Sequence, residues 1–232
     1  MGGALVRGWH KAGGVQITAT AHTQATLDRI IRDCPTVRTT TDNVSAVQDA
    51  DVVVLAVKPW LIDGVLAEIT PALTAEQLVI SVAANVQHER IDIYAMPNIA
   101  AEFHQSMTFV SDERARALFD LVGETMVVNE KQMQAGMKMA GCGIAYVMRF
   151  LRAMQQGGVE MGLYPEQAKQ IAMQTMEGAI ALLRETGLHP EAAIDRVTTP
   201  GGVTIRGLNE LDHAGFTSAV IRCLKADPPH LP

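Results

Sequence analysis

The chain has 232 residues, 48% of them hydrophobic, which is room for one large or two small domains with a real core. Its net charge is −6, and no stretch gathers Lys and Arg densely enough to follow a phosphate backbone, so nucleic acid is excluded as a partner. The most apolar long run, Met137 to Leu151, is broken by Lys138 and Arg149 and does not read as a membrane span.

In chain order, Ala4 to Ala12 carries apolar residues at helical spacing and stops at Gly13-Gly14. Val15 to Ala19 reads as a strand and Gln24 to Cys34 as a helix with Leu27, Ile30 and Ile31 on one face. Between them, Thr20-Ala21-His22-Thr23 stands where an acid would accept the ribose hydroxyls of NAD or a basic group would meet the 2′-phosphate of NADP; no acid is present. Asp51 to Val57 is an unbroken apolar run, as expected of a parallel strand covered on both faces, and it ends in Ala56-Val57-Lys58-Pro59. A helix over 61–69 and a buried strand over 78–83 follow, and the alternation predicts a doubly wound α/β sheet. Ile93 to Ala95 is the next strand, leading into Met96-Pro97-Asn98, with Asn98 a candidate for polar contact. The link from 83 to 93 is shorter than a parallel crossover needs, as is the one after Met107 to Val110; loops outside the sequence or true deletions would account for both, the latter leaving the far edge of the sheet in question. Ser111 is expected to cap a helix running to Gly123, and Thr125 to Val128 to be the last strand.

Near Asn129 the composition turns almost wholly helical, dividing a dinucleotide-binding domain (1–129) from an all-helical one (130–226), with 227–232 a disordered tail. A methionine-rich helix is predicted over 134–156, its methionines core fillers. Another begins at Pro165 and ends before Gly187, with an apolar stripe of Ile171, Met173, Ile180 and Leu183 broader than one chain's core needs. The three cysteines, Cys34, Cys142 and Cys223, are widely spaced and odd in number; they fit reduced thiols in a cytoplasmic protein, with no metal site, and Cys142 reads as a small buried residue. No basic leader or apolar signal core opens the chain.

A short helix over 190–196 then runs into Thr198-Thr199-Pro200-Gly201-Gly202-Val203-Thr204, and a second helix resumes at once. Glycines admit close backbone approach, the amides opening the second helix point outward, and threonines add hydroxyls, so a carboxylate fits here; a plain helix connection with threonine caps is the alternative. With Asn209-Glu210-Leu211 and Gly215-Phe216, this stretch resembles the signature of the pyrroline-5-carboxylate reductases. Ala56-Val57-Lys58-Pro59, Met96-Pro97-Asn98, Gly141-x-Gly143-x-Ala145-Tyr146, Gly162-Leu163, Thr175-x-x-Gly178-Ala179 and His189-Pro190 occur in that family's order, over nearly the whole chain.

The resemblance implies a Rossmann-type domain followed by a helical dimerisation domain. It also implies reduction of pyrroline-5-carboxylate to proline with NADPH, or with NADH, and a homo-oligomer of two or more chains. It assigns the cofactor to Met1, Gly2, His22, Thr23, Ala56, Val57, Lys58, Pro59 and Asn98. Substrate positioning falls to Thr199, Gly202, Val203, Thr204 and Asn98; a dedicated proton donor is not implied. The family often has arginine at His22, which leans toward NADPH. Ala140, Cys142 and Ile144 replace the family's usual serines and proline, leaving open a related imine or keto acid as substrate. Met1-Gly2 match only the last two positions of the family's Gly-x-Gly-x-x-Gly loop. The strand before it, which lies mid-sheet in the usual order, would have to come from residues preceding Met1 or from a partner chain; without it, a non-catalytic paralogue is the remaining reading.

Overall fold

A computed structural model describes residues 1–84 and 86–226; the tail expected over 227–232 lies outside them. The chain forms two compact units, Met1–Cys142 and Gly143–Pro232. Among the described residues, no helix is long and apolar enough to cross a membrane.

The first unit opens with helix α1 (Gly2–Ala12) and continues β1 (Thr18–Thr20), α2 (Gln24–Asp33), β2 (Arg38–Thr40), α3 (Asn43–Val47), β3 (Val52–Leu55), α4 (Ile62–Ile69) and β4 (Leu78–Ser81). Then come β5 (Ile93–Met96), β6 (Ser106–Val110), α5 (Arg116–Asp120), β7 (Gly123–Val127) and α6 (Glu130–Gly136). The strands make two sheets, a parallel pair β1–β2 and a five-stranded sheet in the order β3-β4-β5-β6-β7. Among the described residues no strand joins β1 to β3, so each presents one open edge at the place where the usual order puts the first strand.

β3, β4 and β5 run parallel, with Val54 beside Ile80 and Ile80 beside Ile93. Among the described residues, the short link from β4 to β5 carries no helix. Asp92 secures it by donating its backbone N–H to the Val79 carbonyl and accepting the Val79 N–H on Oδ2, at 2.9 and 2.8 Å. The far edge of the sheet is complete, but β6 runs antiparallel to β5, with Ala95 beside Val110, whereas β7 returns parallel to β6. The connection from β5 to β6 is only a 3₁₀ turn, Ile99–Phe103, too short to carry the chain back for a parallel strand. Ser111 does not cap the next helix: its Oγ accepts the Tyr94 N–H at 2.9 Å. Asp112 takes that role, accepting the Arg114 N–H.

α1 lies over both sheets. Leu5 and Trp9 enter the main core with Ile80, Ile93, Val110 and Phe119, while Val6 packs on the smaller cluster of Ala19, Cys34 and Val37. Trp9 Nε1 donates to the Leu118 carbonyl at 2.9 Å, and Arg7 pairs with Glu102 at 2.9 Å and Asp33 at 3.6 Å. The Arg7 guanidinium holds the Glu102 carboxyl below the usual glutamate range.

The long helix expected over 134–156 is interrupted. After α6, residues Met137–Cys142 form a π-helical segment, and α7 (Gly143–Glu160) follows. The second unit continues with α8 (Pro165–Thr186), α9 (Pro190–Arg196), α10 (Val203–His213) and α11 (Phe216–Lys225). Pro165 opens α8 and Gly187, at φ 62°, ends it, as the sequence predicts. The fully buried residues of this unit are small: Gly158 sits against Ala168, with Ala172 and Ala193 also buried. Ile171, Met173 and Ile180 lie exposed on the single chain, as do Met148 and Met161. These methionines therefore do not fill the chain's own core.

Two outcomes test the seating of α1. At Gly8 a Cβ would stand 2.3 Å from the Ala101 carbonyl oxygen and 2.8 Å from Val122 Cγ1; Gly8→Ala is expected to lose about 1–3 kcal/mol in denaturant unfolding. The depressed Glu102 pKa stabilises the fold fully above the ordinary glutamate range, and that contribution disappears as pH falls through the lowered value. Glu102→Gln should thus melt below wild type at neutral pH, and the gap should close in acid.

Candidate functional site

The first group of candidate residues lies at the carboxyl edge of the strands. α1 begins here. Its N-cap, Met1, makes no side-chain capping bond, and the first intrahelical bonds are from Ala4 and Leu5 to the Met1 carbonyl, so the amides of Gly2 and Gly3 open outward at the positive end of an eleven-residue helix. A Cβ at Gly2 would sit 3.1 Å from the Ala56 Cβ, so the structure brings Met1-Gly2 against the end of β3. Ala56, Val57, Lys58 and Pro59 all leave the strand exposed, and Lys58 Nζ lies 5.9 Å from the centroid of the Trp60 ring. His22 and Thr23 follow β1 at the same edge, also exposed, with Thr23 Oγ1 3.0 Å from Thr26 Oγ1 at the start of α2. Open helix amides without side chains, a lysine and a loop histidine in place of an acid suit a phosphorylated nucleotide, and the residues present fit that group.

Asn98 ends β5 at this edge but is only 6% exposed. Its Oδ1 accepts the Ala100 N–H at 3.0 Å, and its Nδ2 donates to the Ala140 carbonyl at 3.4 Å. The side-chain amide is thus engaged at both ends inside the fold.

The second group belongs to the other unit. α9 ends at Arg196. Thr198 turns its hydroxyl back onto the Ile194 carbonyl, and the chain reverses through Gly201, at φ 72°. Gly202 is the N-cap of α10, donating its N–H to the Thr199 carbonyl at 2.9 Å and offering no side chain to the helix amides behind it. Thr199, Val203 and Thr204 are exposed, Val203 at 88%. Thr199, Gly202, Val203 and Thr204 therefore form one contiguous turn at the positive end of an eleven-residue helix, chemically suited to a carboxylate.

Cys142, expected to be buried, is exposed, because it falls in the π segment rather than on the inner face of a continuous α-helix. Trp60, 76% exposed beside Lys58, and the buried hydroxyls of Ser106 and Thr108 were not among the sequence candidates. For the hydroxyls the signal was available: polar residues at alternating positions of an otherwise apolar strand.

Residues 130–227 match the family described as pyrroline-5-carboxylate reductase dimerisation, and residues 1–85 match NADP oxidoreductase, coenzyme F420-dependent. The chain is 32% identical to the pyrroline-5-carboxylate reductase of Methanosarcina acetivorans over 96% of this chain and 91% of that one. The chain belongs to the pyrroline-5-carboxylate reductase family. It is also 36% identical to pyrroline-5-carboxylate reductase 1 of Dictyostelium discoideum over 89% of its own length, but spans only 42% of that longer relative. In fold it matches a Plasmodium falciparum pyrroline carboxylate reductase with NADP bound, at 23% identity and TM-score 0.85, covering 97% of this chain and 90% of the other.

At Gly202 a Cβ would lie 2.5 Å from Thr199 Oγ1 and 3.0 Å from the Thr199 carbonyl oxygen, so a methyl group would push Thr199 away from the start of α10. Gly202→Ala is expected to weaken proline, used as the carboxylate probe, by about 10–100-fold in a calorimetric titration, the worth of one charge-assisted hydrogen bond. Nucleotide affinity should not change.

Proposed function

We propose that this protein reduces 1-pyrroline-5-carboxylate to L-proline with NADPH, with NADH as a weaker donor, as a cytoplasmic homo-oligomer of two or more chains. The observation that carries the reading is the presence, in one chain, of two separate anion-receiving helix starts. One is the uncapped α1 beside Ala56 at the carboxyl edge of the sheet; the other is the Thr199–Thr204 turn opening α10. Membership of the family supports it, as does the match of the first unit to NADP oxidoreductases.

The amides of Gly2 and Gly3, with Lys58, hold phosphate. His22 and Thr23 meet the ribose end, where the absence of an acid admits a 2′-phosphate. Ala56, Val57 and Pro59 supply the backbone wall of the same edge. When bound, the reduced nicotinamide supplies the hydride that the C=N carbon accepts. The amides of Gly202, Val203 and Thr204 and the hydroxyls of Thr199 and Thr204 hold the substrate carboxylate, fixing the ring by its charged group. A protonated imine is already electrophilic, so orientation is the main contribution these residues make. A second substrate class, another cyclic imine or a keto acid, is favoured by one observation: Ala140 and the exposed Cys142 leave the segment without the family's hydroxyls.

Titration with NADPH and NADH, followed by nicotinamide fluorescence, is expected to show binding of both with NADPH tighter, and cofactor oxidation on adding pyrroline-5-carboxylate. Absence of binding by either nucleotide at millimolar concentration, in folded protein, overturns the reading. His22→Asp should shift preference toward NADH, since a carboxylate accepts ribose hydroxyls and repels a 2′-phosphate.

A further inference from the structure

The buried polar side chains of the first unit include a connected set. Asn98, Ser106 and Thr108 are 6%, 2% and 0% exposed. The Asn98 backbone N–H donates to Ser106 Oγ at 3.0 Å, and Ser106 Oγ lies 3.0 Å from Thr108 Oγ1. From this anchored backbone the Asn98 side chain reaches two ways, Oδ1 capping the 3₁₀ turn at Ala100 and Nδ2 meeting the carbonyl of Ala140. Burying an amide and two hydroxyls is costly unless each is paired; here the two hydroxyls pair with each other and the side-chain amide pairs with the backbone of Ala100 and Ala140.

The Ala140 carbonyl belongs to the π segment Met137–Cys142. π-helical turns bond i to i+5, which displaces carbonyls from the α-helical ladder and makes such segments rare except at functional positions. An outside donor compensates for that displacement, and Asn98 is the donor placed to do so. The same segment carries Ala140, Gly141 and Cys142, the small residues of the family motif.

We infer that Asn98 is a positioning residue, a latch that holds the π segment in register with the end of β5 while Ser106 and Thr108 fix its backbone end. This rests on the proposed reductase reading. The latch acts on turnover through the placement of Ala140–Cys142, and not on nucleotide affinity, which α1, His22–Thr23 and Ala56–Pro59 provide.

Asn98→Asp tests it with minimal change of shape. The carboxylate still accepts the Ala100 N–H but turns an oxygen toward the Ala140 carbonyl in place of a donor. Turnover of pyrroline-5-carboxylate is expected to fall about tenfold, with NADPH affinity close to wild type; the buried carboxylate also lowers the melting temperature at neutral pH, a loss that shrinks as the carboxyl takes up a proton. Hydrogen exchange at residues 137–142 should quicken. The ratio of variant to wild-type turnover should rise as pH falls and the carboxyl takes up a proton, because the neutral acid again donates to Ala140; burial places that recovery above the ordinary aspartate range. Ser106→Ala, loosening the other end, should lower turnover in the same direction without the pH recovery. Wild-type turnover and exchange in Asn98→Asp overturn the latch. So does a loss of NADPH affinity that matches the loss of turnover at every pH, which makes Asn98 a cofactor contact. If the wild-type protein does not turn over pyrroline-5-carboxylate, the reductase reading fails, and the exchange comparison alone decides whether Asn98 holds the π segment.

Discussion

The first unit depends on the packing of one helix, α1, onto the cores under both of its sheets, which among the described residues are not joined by a strand. α1 puts Leu5 and Trp9 into the larger core and Val6 onto the smaller, and Arg7 reaches Glu102 on one side and Asp33 on the other. The outward amides of Gly2 and Gly3 and the loops after β1 and β3 inherit their relation from that packing. A nucleotide site built there is as rigid as the seat of α1, which explains why Gly8 lies so close to the Ala101 carbonyl: any residue with a side chain would lift the helix from both cores.

The helical unit obeys a different constraint. Its buried residues are alanines and glycines, chosen by close helix approach, while its larger apolar side chains stand on the outside. Such a unit buries too little apolar surface to be independent of a second copy, and the dimerisation family that residues 130–227 match accounts for the faces left over.

Much of this was legible in the sequence. Pro165 and Gly187 delimit α8 because each residue is suited to its end of a helix, and the valine run of β3 and the apolar run of β4 announce covered strands. The Thr199–Thr204 turn was legible because glycine, proline and threonine each restrict the backbone locally. What escaped was decided by contacts distant in sequence. The antiparallel direction of β6 follows from a short path between sheet positions, not from the residues of β6. Ser111 has a good capping side chain, but Tyr94 on the neighbouring strand claims its hydroxyl. Cys142 stands exposed although a free cysteine usually packs as a small hydrophobe. The bonds of the Asn98 amide to Ala100 and Ala140 were likewise not legible, because Ala140 lies far along the chain.

The two tryptophans of the chain stand in opposite surroundings. Trp9 is buried against Phe119 and bonded to the Leu118 carbonyl, whereas Trp60 stands in solvent beside Lys58 at the carboxyl edge. The protein therefore carries a pair of natural chromophores that divide its emission by place. A blue-shifted component follows the core under α1, and a red-shifted, quencher-accessible one follows the mouth of the sheet. Loosening of the core and events at the edge are spectrally separable without attaching a dye.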